Sequence, residues 1–200
     1  MGIKLITAPS VEPLDLATVK LQLRIEGTDE DALLTRLIKM ARQHVENITW
    51  RALIEQTWEV SGARFPSARK PVFVPKPRLR EVVSISYFDT SGASQTFALA
   101  NCHIDPTTEP GTIRPKMEFV WPITQLARPN GFTIQFKAGY GTAAADVPET
   151  VRQAMLLLIG DLYRCREDHP APYIDSACRA LLLPETVRDD RLLTYLGDGP

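Results

Sequence analysis

Residues 29–60 read DEDALLTRLIKMARQHVENITWRALIEQTWEV, and the period of their apolar residues changes midway. In the first part Leu34, Leu37, Ile38, Ala41, Val45 and Ile48 recur every three or four positions, the spacing of a helix with one buried face. Asp29, Glu30 and Asp31 put negative charge in its first turn, where the helix dipole favours it, so one long helix is predicted over 29–49. From Leu53 the apolar residues fall instead in short runs rich in Val, Ile, Phe, Trp and Thr, broken at Gly62, Pro66, Pro71, Pro75 and Pro77. That pattern predicts several short strands with irregular connections. A strong helix feeding directly into strands makes the fold α+β.

Upstream, Asp15 is placed to cap a short helix over 15–23, with Leu16, Val19 and Leu23 on one face. Downstream, strands are predicted over 54–60 and 72–74. A hairpin follows, in which Val82, Ile85 and Tyr87 lead into an Asp89-Thr90-Ser91-Gly92 turn and then 95–99. Strict alternation in Phe132-Thr133-Ile134-Gln135-Phe136 predicts a strand with its aromatic side inward, and the strand region ends near Gly141. Pro148 suits a helix start, and Val151, Ala154, Met155, Leu158 and Leu162 carry an apolar stripe to about Arg166 that is expected to pack on the 29–49 helix. A loop at 169–172 and a short helix over 174–183, stopped by Pro184, complete the core. The expected architecture is one domain over 1–184. It has a small helical core of about four helices (13–50 and 146–183), an inserted antiparallel β-rich subdomain (51–141) and an extended C-terminal tail (185–200).

At 200 residues, 44% hydrophobic and 24% charged, the chain has ordinary globular composition and can bury a sizeable core. Its 23 basic and 24 acidic residues leave a net charge of -1, so no overall field drives it onto nucleic acid or anionic lipid. The longest apolar run, residues 154–159, is far short of a membrane span, and the first ten residues lack a signal-peptide pattern, so a soluble, non-exported protein is expected. Cys102, Cys165 and Cys178 are odd in number and lack C-x-x-C spacing, which suits a reducing compartment better than a disulfide or zinc framework.

The segment Gly139-Tyr140-Gly141-Thr142-Ala143-Ala144 matches G-x-G-x-x-A, but the next helix starts near Pro148, too late to face a pyrophosphate held at Gly141. A Gly-rich exit from a strand is the simpler reading. His44, His103 and His169 lie far apart without metal-ligand spacing, and no nucleophile elbow, zinc-protease or P-loop motif occurs. Asp29, Glu30 and Asp31 are accounted for by the helix start without a cation. No catalytic residue, metal site or cofactor is therefore expected.

Between Glu59 and Glu81 the chain carries Arg64, Arg69, Lys70, Lys76, Arg78 and Arg80 without an acidic residue. This basic strip suits contact with a phosphate backbone or an acidic subunit, or equally the protection of an exposed strand edge. Residues 51–140 hold eleven basic and seven acidic groups and 141–200 hold six and ten, a split that allows head-to-tail contact between copies. In the tail, Leu192, Leu193, Tyr195 and Leu196 form an apolar cluster after a charged run, suited to folding on a partner or to docking on its own domain.

Several segments in order resemble a known family. They are Leu5-Ile6-Thr7 with Glu12-Pro13, Ala41-Arg42-Gln43-His44-Val45-Glu46, and Arg51-Ala52-Leu53-Ile54 with Gln56-Thr57-Trp58. Trp121-Pro122, Ala138-Gly139-Tyr140-Gly141, Val147-Pro148 and Arg152-Gln153-Ala154-Met155-Leu156-Leu157-Leu158 through Tyr163 complete the series. Over about 5–168 the chain resembles the head–tail connector (adaptor, head-completion) proteins of long-tailed bacteriophages and gene transfer agents, in the subgroup with a β-rich insertion between helices. Trp50 departs from that pattern, which leads one to expect a small residue, usually Gly, ending the helix.

The resemblance implies a non-enzymatic protein of the virion head–tail junction, present in the host cytoplasm during assembly. It implies a homo-oligomeric ring of about twelve copies, monomeric when isolated, that joins the portal protein to a stopper or tail-terminator protein. Such a ring lines the channel and makes non-specific contact with passing double-stranded DNA. On this reading Leu192, Leu193, Tyr195 and Leu196 bind the portal, and the strip Arg64, Arg69, Lys70, Lys76, Arg78 and Arg80 meets the channel or a neighbouring subunit. The alternatives are a small-ligand enzyme built on the β insertion and a freestanding nucleic-acid-binding module.

Overall fold

The computed structural model describes residues 1–67, 69–124, 129–165 and 176–187. These fall into two compact units: a helical unit from the described residues of 9–54 and 140–187, and a β unit from those of 1–8 and 55–139. The fold is α+β, with four helices and two antiparallel sheets among the described residues. No helix among them is long and apolar enough to cross a membrane.

The helical unit contains α1 (Leu16–Leu23), α2 (Asp31–Thr49), α3 (Glu149–Arg164) and α4 (Ser176–Leu182). Asp15 caps α1 as expected: its carboxylate accepts the Thr18 N–H at 2.7 Å, and that bond holds its pKa below the ordinary carboxylate value. Arg24 ends the helix in the left-handed region, and its N–H and that of Ile25 return to the Leu21 and Lys20 carbonyls. The apolar faces read from the sequence meet, since Leu34, Ile38, Ala41 and Val45 share one buried cluster with Val151, Ala154, Met155 and Leu158. The predicted 174–183 helix is described from Ser176, and Pro184 lies in the 3-10 turn Leu183–Glu185 that follows α4.

Where α2 ends, Trp50 takes φ 59°. The left-handed region costs an L-residue roughly 1–2 kcal/mol and glycine almost nothing, which is the physical sense of the glycine expected there. Around this turn the chain is held by polar contacts. Glu46 accepts Arg42 Nη1 at 2.9 Å through Oε2 and the buried Leu53 N–H at 3.0 Å through Oε1, while Arg42 Nε also reaches Glu12 at 2.8 Å. Arg51 donates to the Glu185 carbonyl, Tyr140 hydrogen-bonds the Glu185 carboxylate, and the Val187 N–H reaches the Thr49 carbonyl at 3.1 Å. The Tyr140 N–H bonds the Leu53 carbonyl at 3.1 Å, and Ile54 forms a parallel bridge with Gly141. The strands by which the chain leaves and re-enters the helical unit therefore run side by side.

The β unit contains β1 (Gly2–Thr7), β2 (Gln56–Gly62), β3 (Val72–Val74), β4 (Leu79–Phe88), β5 (Ser94–Thr96), β6 (Cys102–Asp105), β7 (Gly111–Pro115) and β8 (Phe132–Ala138). One sheet runs β1-β2-β8-β4-β5 and the other β3-β7-β6. The β2–β8 register sets Trp58 opposite Phe136 and Val60 opposite Ile134, so the alternation read in 132–136 buries Phe132, Ile134 and Phe136. The opposite face carries Thr57, Glu59, Thr133, Gln135 and Lys137, with Gln135 bonded to Glu59 and Lys137 to Glu81. The Glu81 carboxylate raises the Lys137 pKa.

The Asp89 turn is present. Its carboxylate accepts the Ser91 and Ala93 N–H groups at 2.9 and 3.0 Å and Gln95 Nε2 at 3.1 Å, and hydrogen bonds from Ser91 and then Gln95 hold its pKa at about 2. The returning strand is shorter than expected, because Leu99 enters a 3-10 turn. Strands β1, β6 and β7 lie outside the sequence expectation: β1 is an edge strand with almost no buried face, and β6 and β7 have only four and five residues.

All three cysteines are free, and burial pushes the Cys102 thiol up to about 11. With Cys178 also buried and only Cys165 half-exposed, DTNB at pH 8 should modify one thiol rapidly in the native chain and three after denaturation. Replacing Glu46 with Ala leaves the buried Leu53 N–H unmet and Arg42 with Glu12 as its remaining carboxylate, so urea unfolding should show a loss of about 1–3 kcal/mol; removing Glu81 from its exposed pair with Lys137 should barely register.

Candidate interaction surfaces

Five members of the basic strip, Arg64, Arg69, Lys70, Arg78 and Arg80, are exposed. Lys76 is not: it is 5% exposed, lies 5.4 Å from the Trp58 ring centroid and sits at φ 60°. Its aliphatic stem and ring contact make it part of the packed interior of the β unit. Two strip members are neutralised within the unit, Arg78 by Glu109 at 3.2 Å and Arg80 by Glu55 at 2.8 Å. The structure therefore divides the strip into a paired part on β4 and its approach and a cationic loop bearing Arg64, Arg69 and Lys70.

That loop is anchored. Phe65 stacks between Trp121, with ring centroids 4.6 Å apart, and Phe132, at 4.3 Å. Trp121 Nε1 donates to the Lys70 carbonyl at 2.9 Å and Arg69 Nε to the Phe119 carbonyl at 3.2 Å, tying the cationic loop to residues 116–124. On the second segment Met117 is 78% exposed, Val120 56% and Ile123 77%. These three were not singled out from the sequence. Their only signal was an apolar run, Phe119 to Ile123, that fits neither helical nor strand spacing beside Lys116 and Glu118. The cluster Leu192, Leu193, Tyr195 and Leu196 lies outside the described residues, as does His169.

No group of three His, Cys, Asp or Glu among the described residues is placed to hold a metal ion. Of the acidic trio, Glu30 accepts the Tyr163 hydroxyl and Asp31 pairs with Lys20. The G-x-G-x-x-A segment is a turn with its own structural cause. Gly139 takes φ 142°, and a Cβ on Gly141 would lie 1.9 Å from Asp146 Oδ2, the oxygen that accepts the Ala143 N–H at 2.9 Å. This carboxylate fills the space beside Gly141.

A model of the family described as "Phage gp6-like head-tail connector protein" matches residues 13–97, which hold α1, α2 and β2 through β5. Over that segment the match agrees with the resemblance read from the sequence. No curated protein matches the chain. Solved structures of gene transfer agent particles share the fold. A chain from the neck of an empty GTA particle with C6 symmetry has TM-score 0.79 and 23% identity, with 100% of both chains covered. One from the neck of a native GTA particle with C12 symmetry has TM-score 0.77 and 24% identity, again with 100% of both covered. A chain from the virion of a native gene transfer agent particle has TM-score 0.76 and 23% identity, over 94% of this chain and 97% of that one.

The Asp146 contact leaves no room for even a methyl group at Gly141. Gly141→Ala should destabilise the helical unit by about 1–3 kcal/mol, read as a lower urea midpoint with an unchanged m-value.

Proposed function

We propose that this chain is a structural head–tail connector of a tailed phage, prophage or gene transfer agent, acting as one subunit of a ring that joins the portal to the stopper or tail and surrounds the DNA channel. The observation that carries the reading is the family match over residues 13–97, and fold likeness across the full length of GTA neck chains supports it. A ring of identical subunits needs only shape and surface, which agrees with a chain whose buried charges are paired for packing and whose one nucleotide-like motif is a closed turn. In such a ring the exposed cations Arg64, Arg69 and Lys70, repeated around an axis, would sum into a positive band suited to sequence-independent phosphate contact or to a neighbouring subunit. Lys76 takes no part in that band.

The tail is assigned to the portal, with Leu192, Leu193, Tyr195 and Leu196 as its anchors. Many weak tail contacts made together to one portal give high avidity, so a monomeric isolated chain is compatible with a stable particle. Because Glu185 and Val187 hold the helical unit together, the informative truncation begins after Val187 and not at 185.

Electron microscopy of the chain mixed with its portal should show an added ring of density. The 1–187 truncation should lose that ring while keeping the thermal midpoint of the full chain. Retained binding by 1–187 would reject the tail assignment. Tight, salt-sensitive DNA binding by the isolated monomer, without a portal complex, would favour the freestanding nucleic-acid module instead.

A further inference from the structure

Three large apolar side chains within seven residues, Met117, Val120 and Ile123, stand out from an ordered loop. Their base is fixed by the Phe119 N–H to the Lys116 carbonyl at 2.9 Å, the Lys116 N–H to the Asn101 carbonyl at 2.9 Å, and the Trp121 bond to Lys70. A rigid loop holding apolar groups in water is presented to something, because a loop free to relax would fold them inward. Arg69 and Lys70 are tied to this segment through Phe119 and Trp121, Arg64 adjoins Phe65 on Trp121, and residues 116–124 themselves carry Lys116 and Glu118.

The helical unit carries a surface of complementary character. Leu21, on the outward side of α1, is 82% exposed, the most exposed large apolar residue among those described. Its segment, residues 15–31, holds five carboxylates, Asp15, Glu26, Asp29, Glu30 and Asp31, against the cations Lys20 and Arg24. Asp15, Glu26 and Asp29 are exposed. The wider sequence repeats the contrast: residues 1–8 and 55–139 hold eleven basic and seven acidic groups, residues 9–54 and 140–187 ten and fourteen.

We infer that the tip formed by Met117, Val120 and Ile123, with its cationic rim, docks on the Leu21 face of a second copy of this chain. Apolar groups meet apolar groups at the centre and opposite charges meet at the rim, the usual anatomy of a specific interface. The two surfaces lie on different parts of the chain, so the contact is heterologous and leaves each copy with one free surface of each kind. Such a contact propagates and closes into a ring when the rotation allows. The biological setting rests on the connector reading, but the contact itself is a property of the chain.

The test is a photo-crosslinking amino acid in place of Ile123 of the full chain, used in concentrated purified protein and in assembled particles. The expected product is a dimer of the chain whose linked peptide comes from residues 15–31. Leu21→Ser should lower its yield about tenfold. The double reversal Arg69→Glu with Lys70→Glu should lower it as well, and adding Glu26→Lys and Asp29→Lys should restore it, a recovery that misfolding would not give. Crosslinks only to another protein or to lipid, a dimer linked elsewhere, or no dimer in either preparation would overturn the inference. A dimer with the expected linkage in purified protein, from a chain that particles lack, would leave the interface standing and remove the connector reading.

Discussion

The carboxylate of Glu46 sits where the long helix gives way to the β insertion, taking Arg42 with one oxygen and the Leu53 N–H with the other. Past the end of a helix the backbone N–H groups no longer find helical carbonyls, and an unmet buried N–H costs roughly 1–3 kcal/mol. Here one ionised side chain from the last turns of α2 satisfies the donor four residues past the helix end, and Arg42, itself held by Glu12, neutralises it. Leu53 is thereby fixed, and its carbonyl is then available to Tyr140 when the chain returns. Glu185, reached by both Arg51 and Tyr140, closes the same junction from the C-terminal side. The insertion of a β unit into a helical one depends on this small set of polar contacts.

Much of that plan was legible before any coordinates. Helix α2 announced itself because its buried face recurs with helical spacing over nineteen residues, and β8 because five residues alternate without exception. Strands β6 and β7 did not, since Cys102–Asp105 and Gly111–Pro115 are too short for a period and owe their conformation to neighbours distant in sequence: Val72 opposite Ile113, and Ile104 opposite the same residue. Strand β1 was hidden for another reason. At the sheet edge its side chains stay exposed, so the usual sign of a strand, alternate burial, is never written into its composition. Trp50 shows the reverse case, in which backbone geometry prevails over residue preference.

The surfaces were less legible than the core. A run of like charges in sequence does not reveal which members meet counter-charges, and folding removed Lys76 into the interior while pairing Arg78 and Arg80. The apolar tip was obscured because Phe119 to Ile123 mixes side chains with opposite fates: Trp121 is buried against Phe65 while Val120 and Ile123 project. Composition treats these alike, and only the three-dimensional path of the loop separates an anchor from a contact surface.

The net charge of -1 conceals a contrast between the two units. A chain whose two units carry opposite charge attracts its own copies in one orientation and repels them in others, without the uniform field that would precipitate it or draw it indiscriminately onto nucleic acid. Salt weakens rim attractions of this kind, and the inferred apolar centre of three side chains against one would leave each contact modest. Modest contacts suit a closed ring held on a common partner, because each subunit is retained by two neighbours and the partner at once. A subunit that bound its copies tightly in solution would close rings, or open filaments, before the partner was present. In the proposed ring, weak and oriented self-attraction would avoid that outcome and let the partner decide where assembly begins.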